Sequence, residues 1–195
     1  MSSIAYKNRP VFLLLCGQFV FAAGLTAGAF RSPQCLTEDI GICCFGALPE
    51  TFFLYLATCT LCFIFALAAA LAMPGERPFG AVRKGCLAIL ALTPFLLVGP
   101  RLPALPDWLH HAAGIAIILL QSAISWRLVF RLYPNGCNTA LFWLQLAATL
   151  LSFSFSLNTH CFPFSLYGQI VLILTFSLLL VRGLVDFFSG RRVQQ

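Results

Sequence analysis

Residues 31–51 read RSPQCLTEDIGICCFGALPET and separate two long apolar runs of the chain. This stretch holds three of the six acidic residues and three of the nine cysteines. Polar and charged side chains at this density are too costly to place in hydrocarbon, so the stretch must lie outside a membrane that the flanking runs cross. It is therefore the natural place for recognition, and Asp39 and Glu50 are its candidate contacts.

Composition places the rest of the chain in a membrane. Of 195 residues, 60% are hydrophobic and only 9% are charged, whereas soluble domains carry about 25% charged residues. The mean hydropathy is +0.92. One membrane domain accounts for the whole length. The net charge of +6 does not indicate nucleic-acid binding, because the basic residues form no contiguous patch in the sequence.

The apolar runs predict six membrane spans. Their ranges are 11–30, 52–73, 85–99, 108–130, 140–157 and 166–187. The first run could instead be a signal peptide cleaved near residues 27–29, but its length favours a retained helix. The third run is short, and Pro94 should kink it or free a backbone carbonyl.

Basic residues predict the orientation of these spans. With the N-terminus in the cytosol, ten of the twelve Lys and Arg residues fall on the cytosolic side, and only Arg31 and Arg101 fall outside. This asymmetry follows the positive-inside rule. We therefore expect an all-α membrane protein with six transmembrane helices, both termini cytosolic, and residues 31–51 as the first outer loop.

Four cysteines fall on the outer side in this topology: Cys35, Cys43, Cys44 and Cys161. An oxidising outer compartment permits disulfides. Neighbouring Cys43 and Cys44 are poor partners for each other, and we favour a Cys35–Cys161 bridge over free or lipidated thiols. Cys59 and Cys62 have the spacing of a redox pair. They lie within a span without a nearby charge, which favours inert thiols instead.

Two predicted spans carry polar stripes. His111 begins a face of the fourth span that continues to Gln121 and Ser125. Gln145, Thr149 and Ser152 recur at helical spacing on the fifth span. These side chains either line a cavity for a polar head group or hydrogen-bond between helices. His111, at the outer end, is a further candidate for recognition.

No motif in the sequence assigns an enzymatic reaction. The chain has no serine-hydrolase elbow, no zinc-protease motif, no metal-ligand spacing and no phosphate loop. We therefore expect no metal and no cofactor. An outer histidine with Asp39 or Glu50 could form an acid–base pair, but nothing in the sequence brings them together, and the chemistry stays open.

Several local patterns resemble the Frag/DRAM/Sfk family of six-span membrane proteins, which includes the damage-regulated autophagy modulators and the Golgi factor that remodels the lipid of GPI anchors. The patterns are CLTEDIG (35–41) followed by Pro49-Glu50, LQSAISWR (120–127) after His111 and Gly114, Cys161 with Tyr167, and Asp186-Phe187. The chain departs from the family in an insert at 42–48 and in a shorter spacing from His111 to Trp126. The resemblance implies that a first-loop cysteine pairs with one in the fifth loop, which suits Cys35 and Cys161.

The resemblance also implies a role in membrane lipid organisation, GPI-lipid remodelling or autophagy regulation. Recognition of a lipid or a membrane-protein partner would then occur through the first outer loop. The expected location is an endomembrane (Golgi, endoplasmic reticulum or lysosome) or the plasma membrane. The alternatives are a small transporter or channel subunit with a polar path between spans four and five, and a membrane-embedded lipid acyltransferase centred on His111.

Overall fold

The computed structural model describes residues 8–37, 42–76, 78–98, 107–153 and 164–190, and these are helical with no strand. We number the α-helices in chain order. They are α1 (Arg9–Arg31), α2 (Cys43–Ala47), α3 (Pro49–Ala72), α4 (Gly80–Val98), α5 (Asp107–Arg127), α6 (Gly136–Phe153) and α7 (Phe164–Phe188). A 3₁₀ helix (Pro33–Leu36) follows α1, and a π-helical turn (Leu128–Leu132) continues α5.

The prediction of an all-α fold is confirmed, and each predicted span corresponds to one long helix. Within the described residues, four segments are long and apolar enough to cross a membrane, namely Arg9–Arg31, Pro49–Ala72, Trp108–Leu132 and Leu166–Phe188. The other two long helices, α4 and α6, have 19 and 18 residues. Helix α4 begins before the predicted span and continues past Pro94 to Val98. Crossing by all six helices stays a prediction.

The ends of these helices follow from local chemistry. Pro10 and Pro49 occupy first-turn positions of α1 and α3, where a missing backbone N–H costs nothing. Asn135 caps α6, because its Oδ1 accepts a hydrogen bond of 2.8 Å from the backbone N–H of Asn138. Gly190 follows α7 with φ +71°, the left-handed conformation that commonly ends a helix.

The long helices pack as three pairs. Helix α1 lies against α3, α4 against α5, and α6 against α7, while contact between α1 and α7 joins the first pair to the last. Small residues allow close approach within the first pair. A Cβ placed on Gly17 would lie 3.4 Å from the Cβ of Phe65, and a Cβ placed on Gly24 would overlap the side chain of Thr58. The missing side chain of Gly24 therefore allows α1 and α3 to approach closely.

Buried apolar residues form two clusters at opposite ends of the molecule. The larger cluster lies where α1 begins and α5 ends, and we call this the basic end; it includes Leu14, Ala70, Phe79, Leu128 and Leu184. The smaller cluster lies where α1 ends and α3 begins, and we call this the loop end. It is built from Cys35, Cys44, Phe45 and Leu166.

Candidate functional site: a stapled platform and a buried polar layer

The loop end carries a disulfide that joins Cys35 of the 3₁₀ helix to Cys44 of α2, with the two Cα atoms 5.5 Å apart. The predicted Cys35–Cys161 bridge is therefore wrong; Cys161 lies outside the described residues. The physical reason is local. The two short helices fold back on each other and place Cys44 beside Cys35 at a separation of nine residues, and a short loop costs less entropy to close than a long one.

Residues 32–37 and 42–48 form a platform, the name we use for these residues below, and they pack on three helices. Cys35 and Leu166 are fully buried, and Leu25 of α1, Tyr55 of α3 and Ile170 of α7 lie against the same cluster. The backbone N–H of Ile42 donates to Oε1 of Gln169 at 2.9 Å. Packing and this hydrogen bond therefore link the platform to α7.

The predicted recognition residues do not come together as one group in the described structure. Glu50 is exposed in the first turn of α3, beside the platform, where the helix dipole favours a negative charge. His111 is exposed on α5, and no residue of the loop-end cluster belongs to α5. Asp39 lies outside the described residues.

Beneath the platform is a small cavity of about 60 Å³ between α1 and α3. Its lining is apolar and includes Gly24, Gly28, Phe45, Tyr55 and Cys59. At its rim, Thr51 is fully buried and donates from Oγ1 to the carbonyl oxygen of Phe45 at 2.7 Å, which ties the start of α3 to α2. No sequence pattern predicts this cavity, because its walls come from segments that only the fold brings together.

The cysteines near this cavity are free thiols. Burial raises the pKa of the Cys43 thiol, and a hydrogen bond with Tyr55 partly opposes that shift. Cys59 and Cys62 are not bonded to each other, and the Cys62 thiol donates to the carbonyl oxygen of Gly17 at 3.5 Å. Cys59 and Cys62 are therefore unbridged in the structure, and their chemical inertness stays a prediction.

A second group of polar side chains lies inside the bundle, on α5, α6 and α7. Gln121, Ser125, Gln145 and Thr149 of the predicted stripes are all buried, with Gln145 only 2% exposed. Ser152 is half-buried. The predicted stripes thus face the interior of the bundle, and α7 adds Thr175 and Ser177, which are also buried.

The two buried glutamines lie at the same depth. Two adjacent residues of α7 contact the neighbouring helices at the basic end. Arg182 Nε donates to Asn138 Oδ1 of α6 at 2.6 Å. A Cβ placed on Gly183 would lie 2.9 Å from Cδ2 of Leu128, in the π-helical turn. These contacts place Leu128 and Asn138 in one layer. Gln121 precedes Leu128 by two turns and Gln145 follows Asn138 by two turns, so each glutamine lies about 10 Å from that layer.

Hydrogen bonding divides this polar layer into paired and unpaired groups. Thr149 and Ser152 donate to the carbonyl oxygens of Gln145 and Ala148, within their own helix. By contrast, Oε1 of Gln121, both side-chain polar atoms of Gln145 and the hydroxyl oxygens of Ser125 and Ser177 are buried without a hydrogen-bond partner. A buried polar atom left unsatisfied costs about 1–3 kcal/mol. These amides and hydroxyls are therefore the groups in this layer that are free to hold a neutral hydrogen-bonding ligand.

A polar network closes the basic end. Asn138 Nδ2 donates to the carbonyl oxygen of Tyr133 at 2.9 Å, so Asn138 links the turn before α6 to Arg182 on α7. Burial and then the charge of Asp186 raise the pKa of Tyr133, which keeps this phenol neutral at physiological pH. The π-helical turn lies in the same place, and such turns are frequent at functional sites.

Together these features define the class of the protein. Four long apolar helices, three exposed tryptophans (Trp108, Trp126 and Trp143) and a buried polar layer are those of a helical integral membrane protein. The described residues contain no group of three or more His, Cys, Asp or Glu side chains that could hold a metal ion. Comparison with protein-family models, curated proteins and solved structures finds no match to this chain.

Proposed function

We propose that this chain is a multi-pass membrane protein that recognises a membrane lipid or a membrane-protein partner through the platform at its loop end. The observation that carries the proposal is the construction of the platform. The Cys35–Cys44 disulfide and the Ile42–Gln169 hydrogen bond fix a short segment on α1, α3 and α7. A recognition surface gains precision when rigid elements support it.

The exposed polar residues of this region supply the contacts. Gln34 and Thr37 are exposed on the platform, and Arg31 and Glu50 are exposed where α1 ends and α3 begins. This mixture of one cation, one carboxylate and neutral polar groups suits a zwitterionic or sugar-bearing lipid head group, or a polar protein surface. Asp39 belongs to the same segment in sequence.

The disulfide also supports the proposed orientation. Disulfides persist in lumenal and extracellular compartments and are rare in the cytosol. The loop end therefore faces an oxidising compartment, and the basic end faces the cytosol, in agreement with the positive-inside rule. With α4 and α6 added to the four longer helices, the chain crosses the membrane six times and both termini are cytosolic.

The sequence resemblance to the Frag/DRAM/Sfk family supplies the cellular role in this proposal. The protein acts in membrane lipid organisation, GPI-lipid remodelling or autophagy regulation, in an endomembrane or the plasma membrane. These roles depend on the resemblance alone. Platform recognition depends on the geometry, so the two parts can be tested separately.

The experiment compares lipid profiles, including GPI-anchor lipids, of cells with and without the protein. We expect a changed profile that wild type restores and that Glu50→Gln, Asp39→Asn and the Cys35→Ser/Cys44→Ser double variant do not. Cys137→Ser is the matched control, because Cys137 is an exposed free thiol at the basic end. Full complementation by all three platform variants would contradict platform recognition. An unchanged lipid profile in the null cells would contradict the lipid role.

A second candidate function, a small transporter or channel subunit with a polar path, is favoured by one observation. Gln121 and Gln145 place unpartnered amide atoms at one depth within three packed helices. Buried polar residues inside a membrane bundle commonly mark substrate paths. The amides carry no charge, so the substrate would be a small neutral solute with both hydrogen-bond donors and acceptors.

Liposome flux tests this second candidate. Purified protein in liposomes should accelerate the uptake of glycerol or urea over protein-free liposomes, and Gln145→Leu should abolish the gain. Ala147→Leu, on the exposed face of α6, is the matched control and should leave the flux unchanged. Equal flux in the presence and absence of protein would rule out a path for these solutes. The acyltransferase alternative centred on His111 stays a prediction. In the structure, the ring of His111 contacts the ring of His110.

A further inference from the structure

The α4–α5 pair gathers four basic side chains at the basic end. Arg83 and Lys84 lie in the first turns of α4, while Arg127 ends α5 and Arg131 lies in the π-helical turn. The two helix ends are adjacent, because a Cβ on Gly85 would lie 2.7 Å from Ile124 Cδ1. Arg127 follows Ile124 by three residues and thus continues the face of α5 that contacts α4.

These cations are accessible and not neutralised by pairing. Three of the four side chains are exposed, namely Lys84, Arg127 and Arg131. Arg83 is half-buried, and its Nη1 would lie 3.0 Å from a Cβ placed on Gly75, in the turn after α3. No ion pair joins any of the four to a carboxylate among the residues that the structure describes. An external anion bound among these four cations would therefore reduce their mutual repulsion.

Aromatic side chains place this cluster at a membrane interface. The Arg131 guanidinium lies 5.3 Å from the centre of the Trp126 ring, a cation–π contact that holds the charge beside the helix. Trp126 and Trp143 are 46% and 59% exposed, as expected for rings at the head-group level. The apolar segment Trp108–Leu132 ends here. An anion at this position is next to lipid.

We propose that Arg83, Lys84, Arg127 and Arg131 bind the phosphate-bearing head group of an anionic phospholipid in the leaflet at the basic end. The guanidinium forks bind phosphate oxygens in pairs, and Lys84 adds a flexible point charge. The acyl chains lie along the exposed apolar faces of α4 and α5. The site is at the opposite end from the platform, so it does not depend on the function proposed above.

Membrane topology alone accounts for the sign of the charge at this end, but it makes no distinction among the basic residues there. Arg9 is also exposed at the basic end, yet it begins α1, whose main helix contacts are with α3 and α7. If the cations serve only topology, Arg9 and Lys84 should contribute equally to lipid binding. If they form a site, only the members of the cluster should.

The test is native mass spectrometry of the intact, detergent-solubilised protein titrated with phosphatidylglycerol or phosphatidylcholine. We expect preferential binding of phosphatidylglycerol. Each basic residue near an anionic surface changes affinity about fivefold, so Lys84→Gln/Arg127→Gln should weaken binding about 25-fold. Arg9→Gln is the matched control for Lys84→Gln alone, because each removes one exposed cation at the basic end. We expect Lys84→Gln to weaken binding about fivefold and Arg9→Gln to change it less than about twofold.

Three outcomes would overturn the proposal: no preference for phosphatidylglycerol in the wild type, equal losses in Arg9→Gln and Lys84→Gln, or displacement of the lipid by millimolar inorganic phosphate. The last would show that the cluster takes a soluble anion. The substituted side chains in these variants are exposed, so folding should not be affected. If the double variant aggregates, Lys84→Gln alone should still weaken binding about fivefold, and no change there would equally overturn the proposal.

Discussion

The two ends of this molecule are held together by different means. The loop end depends on one disulfide, one hydrogen bond to α7 and a cluster of four buried residues. The basic end depends on a continuous apolar core drawn from every long helix and on the Asn138–Arg182 hydrogen bond. Lipid is as apolar as a side-chain core, so helices in a bilayer gain mainly from close packing. The platform is built from two short helices with little such packing, so it gains more from a covalent cross-link.

The largest expected effect comes from glycine substitutions that compare helix packing toward each end. A Cβ on Gly168 would lie 2.8 Å from the backbone N of Ser152, whereas a Cβ on Gly183 would meet the ends of two side chains, Leu128 at 2.9 Å and Phe79 at 3.4 Å. Overpacking costs about 1–3 kcal/mol. We expect Gly168→Ala to cost about 3 kcal/mol and Gly183→Ala about 1 kcal/mol, measured by unfolding in detergent. Gly136→Ala, with nothing within 4 Å, is the control; equal costs at Gly168 and Gly183 would contradict this packing.

The disulfide gives the next largest effect. In the chain-entropy model, a loop as short as Cys35–Cys44 contributes about 2.5 kcal/mol. The Cys35→Ala/Cys44→Ala variant should therefore open the platform to protease before the helices unfold. The basic end should keep its stability, because its core does not contact the platform residues. If the platform stayed protease-resistant and the helices unfolded in one step, the two ends would not be independent.

The hydrogen bond from Ile42 to Gln169 should have a smaller effect. Gln169→Leu removes the acceptor and leaves a part-buried N–H unpaired, at a cost of about 1 kcal/mol. We expect hydrogen exchange in α2 to become about fivefold faster, with exchange in α6 unchanged. Gln34→Leu is the matched control, because Gln34 is exposed on the same platform. Unchanged exchange in α2 would show that α7 does not support the platform.

The smallest effect is chemical and concerns Cys43. Burial raises the pKa of this thiol above its ordinary value of 9.0, so its reactive thiolate is scarcer at neutral pH than that of an ordinary thiol. The alkylation rate of Cys43 should be low at neutral pH and should still increase with pH above 9.0, the ordinary pKa of a thiol. Tyr55→Phe should slow it further, since the Tyr55 hydrogen bond lowers the pKa. Cys137, which is exposed, provides the reference rate; equal labelling of both thiols at neutral pH would contradict the burial of Cys43.

Sequence reasoning anticipated the polar layer better than the platform. The stripes through Gln121 and Gln145 follow helical periodicity, so their burial on facing helices could be anticipated from spacing alone. The disulfide could not. Cys43 and Cys44 are adjacent, and the choice between Cys35 and a distant cysteine depends on how two short helices fold back on α1 and α3. That geometry has no periodic signal in the sequence.

The sequence by itself determined that this protein is helical, that four of the described helices are long and apolar enough to cross a membrane, and where the charges fall along the chain. Those properties are local, because hydropathy and helical period act within one segment. Only the tertiary structure decided the partner of Cys35, the common depth of Gln121 and Gln145, and the gathering of Arg83, Lys84, Arg127 and Arg131. Each of these depends on the relative register of separate helices, which is set by packing contacts such as Gly168 on Ser152 and Gly85 on Ile124.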